Sequence, residues 1–183
     1  MQKIIECVPN FSEGRDRRVI DEIASAITSV EGAHLLNIDP GKATNRTVIT
    51  FAGSPEPVLE AAFRAVKKAM ELIDMSKHHG EHPRFGATDV LPLVPVQGIS
   101  MEETAELARA LGKRIGEELG IPVYLYEHAA SRPERKNLAT VRAGEYEGLQ
   151  AKLADPAWKP DFGPAVFLPR TGAIAVGARD FLI

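Results

Sequence analysis

The chain has 183 residues, 44% of them hydrophobic and 26% charged, which suits one globular domain with a sizeable core and not a disordered or coiled-coil sequence. A net charge of -3 and a pI near 6.0 argue against a broad nucleic-acid surface and leave room for a local basic pocket that takes an anionic small molecule. The single cysteine, Cys7, excludes an internal disulfide framework and a cysteine-rich zinc site; a start without signal character, and no apolar run of about 18 residues, point to a cytoplasmic protein that neither leaves the cell nor spans a membrane.

Residues 3–8 read as a buried first strand, ended by the turn formers of Pro9-Asn10-Phe11-Ser12-Glu13-Gly14. Over residues 16–30, Val19, Ile20, Ile23, Ala24, Ile27 and Val30 recur at helical spacing. Two β-like runs follow, His34–Asp39 and Arg46–Ala52, joined by Pro40-Gly41-Lys42-Ala43-Thr44-Asn45 as a hairpin with a broad loop. Asn45-Arg46-Thr47 spells a glycosylation acceptor, but without a signal peptide the match reads as chance. Ser54-Pro55-Glu56 starts a helix with Ser54 at the cap, and Val58, Leu59, Ala62, Phe63, Val66, Ala69, Met70 and Ile73 form its apolar face. Thr88–Val96 is apolar enough for a strand, with Pro92 and Pro95 placing it at a sheet edge or giving it a bulge.

The order βαββαβ is the ferredoxin-like arrangement, an α+β fold with helices on one face of an antiparallel or mixed sheet, and its open face calls for a partner. Additional elements follow. Ser100-Met101-Glu102-Glu103 is a capping box before a helix over 101–119 that ends at Gly120, and in it Gly112 and Gly116 mark close packing. Pro122–Tyr126 is a further strand, a short helix fits 145–154, and Gly172–Gly177 is a closing strand. The apolar end Phe181-Leu182-Ile183 suggests a docked terminus or a chain that in relatives continues into another domain. No linker divides the chain, so residues 1–183 form a single domain.

Chemistry concentrates in Lys77-His78-His79-Gly80-Glu81-His82-Pro83-Arg84-Phe85-Gly86-Ala87-Thr88-Asp89, which holds three of the five histidines. Pro83 biases His82 towards extended geometry, and Gly80 and Gly86 permit backbone angles closed to other residues, so the imidazoles are presented from a structured loop. An imidazole titrates near neutrality and can take a proton from an amine nucleophile and return it to a leaving group. The competing reading is a metal held by His79 and His82 with Glu81 or Asp89, for which the loop lacks the helix that would hold such spacing. Asp39, at a strand end before Pro40-Gly41, either orients an imidazole or forms an Asx turn. Cys7 is most simply a small buried residue.

Six segments together resemble the formiminotransferase family, folate enzymes that move a formimino group from N-formiminoglutamate to tetrahydrofolate: Glu6-Cys7-Val8-Pro9-Asn10-Phe11-Ser12-Glu13-Gly14, Thr44-Asn45-Arg46-Thr47-Val48, Gly80-Glu81-His82-Pro83-Arg84-Phe85-Gly86-Ala87, Val123-Tyr124-Leu125-Tyr126, Arg142-Ala143-Gly144-Glu145-Tyr146-Glu147 and Pro160-Asp161-Phe162-Gly163-Pro164. The resemblance implies the N-terminal subdomain of that unit, with His82 as catalytic histidine. It also implies folate contacts along Gly163–Gly172 through Gly163, Pro164, Phe167, Pro169, Arg170, Thr171 and Gly172. Asp39 fits the family's strand-end aspartate and is expected to steady the imidazole or the pterin. Arg46 and Arg84 are candidates for a substrate carboxylate. Tetrahydrofolate enters as acceptor substrate and no metal is expected. In such enzymes a second subdomain closes the folate cleft, so a separate C-terminal subdomain chain is an expected partner, beside a homo-oligomeric assembly. Three readings stay open: half of a transferase, acting on a formimino or a formyl group; a folate-binding or regulatory module without turnover; and a metal-dependent hydrolase.

Overall fold

A computed structural model describes residues 1–181 of the chain. Its strands are β1 (Ile4–Cys7), β2 (Asn10–Phe11), β3 (His34–Gly41), β4 (Arg46–Gly53), β5 (Thr88–Gln97), β6 (Val123–Glu127) and β7 (Ile174–Ala178). Its helices are α1 (Arg17–Thr28), α2 (Pro55–Leu72), α3 (Met101–Arg114), α4 (Leu138–Val141) and α5 (Leu149–Ala154). β1 and β2 behave as one interrupted strand, since both pair with β4 on one side and β5 on the other. The sheet therefore runs β3, β4, β1/β2, β5, β7, β6. Its first four positions are antiparallel, and β5, β7 and β6 are parallel. The antiparallel part with α1 and α2 is the expected ferredoxin-like core, and β6 and β7 widen it into a mixed sheet.

The helices form where their apolar stripes predict. Asp16 caps α1 through the Arg18 amide, and Val19, Ile20, Ile23, Ala24 and Ile27 are buried. The Ser100–Glu103 capping box is present at α3, which runs on through a π-helical turn to Gly120 at φ 70°. Gly116 lets the chain at Phe162–Gly163 pass against the helix. At α2, Ser54 occupies the cap position but makes no side-chain capping bond.

The strands differ from expectation in three places. Asn10 and Phe11 are not merely turn residues but resume the first strand: Pro9 lacks a donor, yet its carbonyl accepts the Ile49 amide at 3.1 Å and keeps the chain in register. β3 runs past Asp39 to Gly41, so the hairpin loop shortens to residues 42–45; Pro40 is tolerated because, among the described residues, β3 pairs only with β4. β5 lies inside the sheet instead of at an edge. Bulges on its β1/β2 side answer the sequence irregularity, as the alternative expectation had it. The helix expected over 145–154 begins only at Leu149, because Gly144 and Glu145 adopt left-handed angles.

Helices α1 to α3 bury one face of the sheet around Ile5, Phe11, Ile49, Phe51, Leu91, Leu93, Val123 and Val176. On the other face a second cluster, Phe85, Val90, Tyr124, Tyr126, Val141, Leu149 and Leu153, lies under α4 and α5. That cover stops at β5. Along β4, Thr47, Ile49 and Phe51 are buried, whereas Arg46, Val48 and Thr50 on the opposite face are only half-buried. Cys7 is wholly buried and burial pushes its thiol up, as expected of a small core residue. No helix among the described residues is long and apolar enough to cross a membrane. Of the apolar end, Phe181 is exposed, and Leu182 and Ile183 lie outside the described residues.

Gly80 and Gly86 do not take positive φ; they are required because other backbone passes too close for a side chain. A Cβ on Gly80 would collide with the Thr44 carbonyl, and one on Gly86 with the carbonyl of Ala173, beside the Gly86–Gly172 bridge that ties the histidine loop to β7. Since both partners at Gly86 are backbone, Gly86→Ala should lower stability by about 3 kcal/mol, the upper range for overpacking. A urea midpoint within error of the parent's would show that this approach is looser than described.

Candidate active site

The histidine loop is clamped at several points. His78 is buried, its Nε2 lying 2.8 Å from the Asn45 carbonyl while its Nδ1 accepts from Arg84 Nε at 3.2 Å. A carbonyl only accepts and a guanidinium only donates, so the neutral His78 must carry its proton on Nε2. Asn45, held at φ 51°, donates through Nδ2 to the His79 carbonyl at 3.1 Å and accepts the Gly14 amide at 2.9 Å. Its amide is thus spent inside the fold, which leaves the glycosylation spelling without a free acceptor. Burial, with the Arg84 cation close by, pushes the His78 imidazole below its ordinary value.

Asp89 is the hub. In β5, Val90 pairs with Asn10 and Thr88 with Phe11, so Asp89 is the extra residue of a bulge and turns away from the helical face. Its carboxylate is completely buried. Oδ1 accepts the Phe85 amide at 2.6 Å; Oδ2 accepts Arg46 Nη1 at 2.9 Å and Arg142 Nη1 at 2.7 Å. Each of those two Nη1 groups also reaches the Pro83 carbonyl at 3.2 Å, and Arg46 Nε donates to Asn10 Oδ1 at 3.0 Å.

The same Pro83 carbonyl lies 2.8 Å from Nδ1 of His82. It can only accept, so Nδ1 of the neutral imidazole holds the proton and Nε2 presents its lone pair outward. His82 is half-buried, between exposed Glu81 and Pro83. The two histidines thus hold opposite tautomers, and of the two His82 alone has a ring nitrogen without a hydrogen-bond partner among the described residues.

The stretch Gly163–Gly172 joins both ends of the histidine loop: Arg170 O accepts the Met75 amide and Thr171 O the Ala87 amide, each at 2.8 Å. Gly163 takes φ 79° and Gly172 φ 68°. Pro164, Pro169 and Arg170 are exposed, Phe167 packs on Tyr146 with ring centroids 5.5 Å apart, and Thr171 is buried. Arg84 is buried and committed, donating to Glu147 at 2.9 Å and to the His78 carbonyl at 3.2 Å. Asp39 is exposed on β3, in one register row with Val48 and Asn10, hence roughly 10 Å from Asn10 at the usual strand spacing. Among the described residues no hydrogen bond joins it to His82.

Sequence reasoning did not assign Asn10 or Arg142 a place around the imidazole, and it named Asp89 only as an alternative metal ligand beside His79 and His82. The one available signal was their presence in, or beside, the segments that carry the family resemblance. The concave grooves between α1 and α2 and between α2 and α3 lie on the helical side, away from His82, and the candidate site is an open sheet face.

A family model described as formiminotransferase domain, N-terminal subdomain, matches residues 4–179. The formimidoyltransferase-cyclodeaminase of Dictyostelium discoideum is 56% identical over 183 residues, all of this chain and 34% of that protein. The glutamate formimidoyltransferase of Thermoplasma acidophilum is 53% identical, covering 98% of this chain and 60% of that protein, and that of Streptococcus pyogenes is 50% identical, covering 100% and 61%. The chain thus spans about a third of the length of the first kind of relative and three-fifths of the second.

The buried His78 makes stability depend on pH. Unfolded, its imidazole titrates near 6.5; folded, it titrates lower. Between the two values the unfolded chain binds a proton that the native state refuses, so stability falls as pH drops below about 6.5 and levels off once the folded imidazole is protonated. Urea midpoints measured from about pH 7.5 to about pH 5 should decline, and less steeply in His78→Gln, which keeps a donor for Asn45. Equal slopes in the two proteins would contradict a neutral buried His78.

Proposed function

Because the chain belongs to the formiminotransferase family, as its N-terminal subdomain, we propose that it supplies the base and one folate-facing wall of a glutamate formimidoyltransferase. The observation that carries this reading is the His82 imidazole, with Nδ1 tied to Pro83 and Nε2 without a hydrogen-bond partner among the described residues, on a loop whose flanks at Met75 and Ala87 are bonded to Arg170 and Thr171. In the reaction, N5 of tetrahydrofolate attacks the amidinium carbon of N-formiminoglutamate, forming the N5–C bond. His82 Nε2 takes the proton from N5 and leaves a neutral tetrahedral intermediate. The imidazolium then protonates the glutamate nitrogen as its bond to carbon breaks, giving 5-formiminotetrahydrofolate and glutamate. One base serves both halves.

The residues of Gly163–Gly172 contact the folate in this reading. Arg46 is better suited than Arg84 to a substrate carboxylate: its Nη2 has no hydrogen-bond partner among the described residues, whereas Arg84 would first have to release Glu147. Asp39, exposed on the same open face and without a hydrogen bond to His82 among the described residues, contacts the pterin and not the imidazole in this reading. An uncovered half-sheet does not exclude water, so turnover requires a further segment over it, in keeping with the greater length of the relatives. Tetrahydrofolate and formiminoglutamate are the substrates in this reading, in the cytoplasm and in a self-associated enzyme.

The test is turnover by this chain joined to, or mixed with, the segment that completes a formiminotransferase unit. His82→Ala should reduce kcat by about 10²–10⁴-fold and leave the folate Kd within about twofold. Undiminished turnover in that variant would remove His82 as the base. Full activity of the 183 residues alone would remove the need for a covering segment.

A further inference from the structure

Asp89 needs only one cation. Arg46 supplies it at 2.9 Å and the Phe85 amide satisfies the other oxygen, so the buried carboxylate is already neutralised and hydrogen-bonded. Arg142 is nevertheless brought to the same Oδ2 at 2.7 Å. Its presence is unfavourable for folding in two ways. Its Nε is buried without a partner among the described residues, and its charge faces that of Arg46, whose own protonated form it disfavours. Its position is also firmly built. Arg142 is the C-cap of α4, and Lys152 of α5 donates to the carbonyls of Thr140, Val141 and Ala143 on either side of it while lying 4.3 Å from the Trp158 ring centroid.

What the second guanidinium adds is a second fixed donor on the Pro83 carbonyl, matching that from Arg46 at the same 3.2 Å. Two donors approaching from different elements, β4 and α4, fix the direction of that carbonyl in space. The carbonyl in turn holds His82 Nδ1. We propose that Arg142, anchored on Asp89, is a positioning residue that holds His82 in the Nδ1–H tautomer by fixing the Pro83 carbonyl, so that Nε2 faces the substrate as a free base. Free imidazole side chains favour the opposite tautomer, with the proton on Nε2, and there His82 would have its only lone pair turned towards the protein.

The proposal rests on the reading of His82 as the base, but it is tested without turnover. In the histidine-15N-labelled chain, long-range 1H–15N spectra at about pH 7.5, with His82 identified by its loss in His82→Gln, should show Nδ1 protonated and Nε2 bare. Arg142→Gln keeps the Asp89–Arg46 pair and so should stay folded; in it, with Arg46 alone left on the Pro83 carbonyl, the His82 signals should move measurably towards the Nε2–H form. Arg142→Lys, which keeps a charged donor, should retain more of the Nδ1–H form than Arg142→Gln. A His82 tautomer identical in Arg142→Gln and parent would overturn the positioning role. In the completed enzyme Arg142→Gln should lower kcat, by as much as about 10⁴-fold if the wrong tautomer is fully populated, with KM little changed. The two readings fail separately: full turnover in His82→Ala removes the base and leaves a shifted tautomer standing, whereas an unmoved tautomer removes the positioning role whatever His82→Ala does.

Discussion

A carboxylate that never meets water organises this site. Asp89 has no exposed surface, and an ionised group so placed is tolerated only if both oxygens are paired, because leaving it unpaired would cost several kcal/mol. Its partners are the Phe85 amide, four residues before it, and two guanidinium groups from distant parts of the chain, Arg46 on β4 and Arg142 at the end of α4. Satisfying one residue therefore draws the histidine loop, the open half-sheet and the α4–α5 cover to a single point. The cause lies one step lower, in the bulge of β5. Were Thr88 to Val90 in regular alternation, Asp89 would share the face of Leu91, among the buried residues under the helices.

That point is also a boundary between two environments. Towards β6 and β7 the sheet is covered on both faces, and Tyr124, Tyr126, Val141 and Leu149 form a closed apolar cluster. Towards β3 it is covered on one face only, and Val48 and Thr50 remain half-buried. Loop 78–87 crosses the border, fastened to Asn45 and Ala43 on the open side and to Thr171 and Ala173 on the covered side. An imidazole on such a loop is held by a rigid scaffold and still faces an accessible surface. Proton transfer to a bound substrate asks for both.

Local signals in the sequence anticipated the elements that local forces build. The stripe of Ile20, Ile23 and Ile27 and the box of Ser100 and Glu103 place α1 and α3 because a helix satisfies its own backbone and needs only one apolar face. β5 was harder to place. Pro92 and Pro95 mark an edge by composition, yet bulges and the break at Pro9 across the ladder accommodate them in the interior. Whether a strand is central depends on its neighbours, and those are set by tertiary pairing. The site divides in the same way. His82, Pro83 and Gly86 lie in one short segment and can be picked out together, but the relation of Arg142 to His82 spans sixty positions and exists only once α4 packs on the sheet. Gly80 and Gly86 were flagged for backbone freedom and serve close approach instead, a distinction invisible without the facing carbonyls of Thr44 and Ala173.

The contrast between His78 and His82 shows how little sequence distance matters to chemical role. Both rings lean on a backbone carbonyl at 2.8 Å. At His78 the second nitrogen meets the Nε–H of Arg84, whose guanidinium is itself pinned by Glu147; protonating that nitrogen would set two donors and two cations against each other, so the ring stays neutral and serves as a strut. At His82 the cations are held one bond further back. Arg46 and Arg142 donate to the carbonyl that His82 also uses, and Asp89 cancels one of their two charges. The second nitrogen is therefore left with a lone pair and no hydrogen-bond partner among the described residues. Interposing a carbonyl between guanidinium and imidazole, instead of bringing them into contact, distinguishes the proposed base from a structural histidine four residues away.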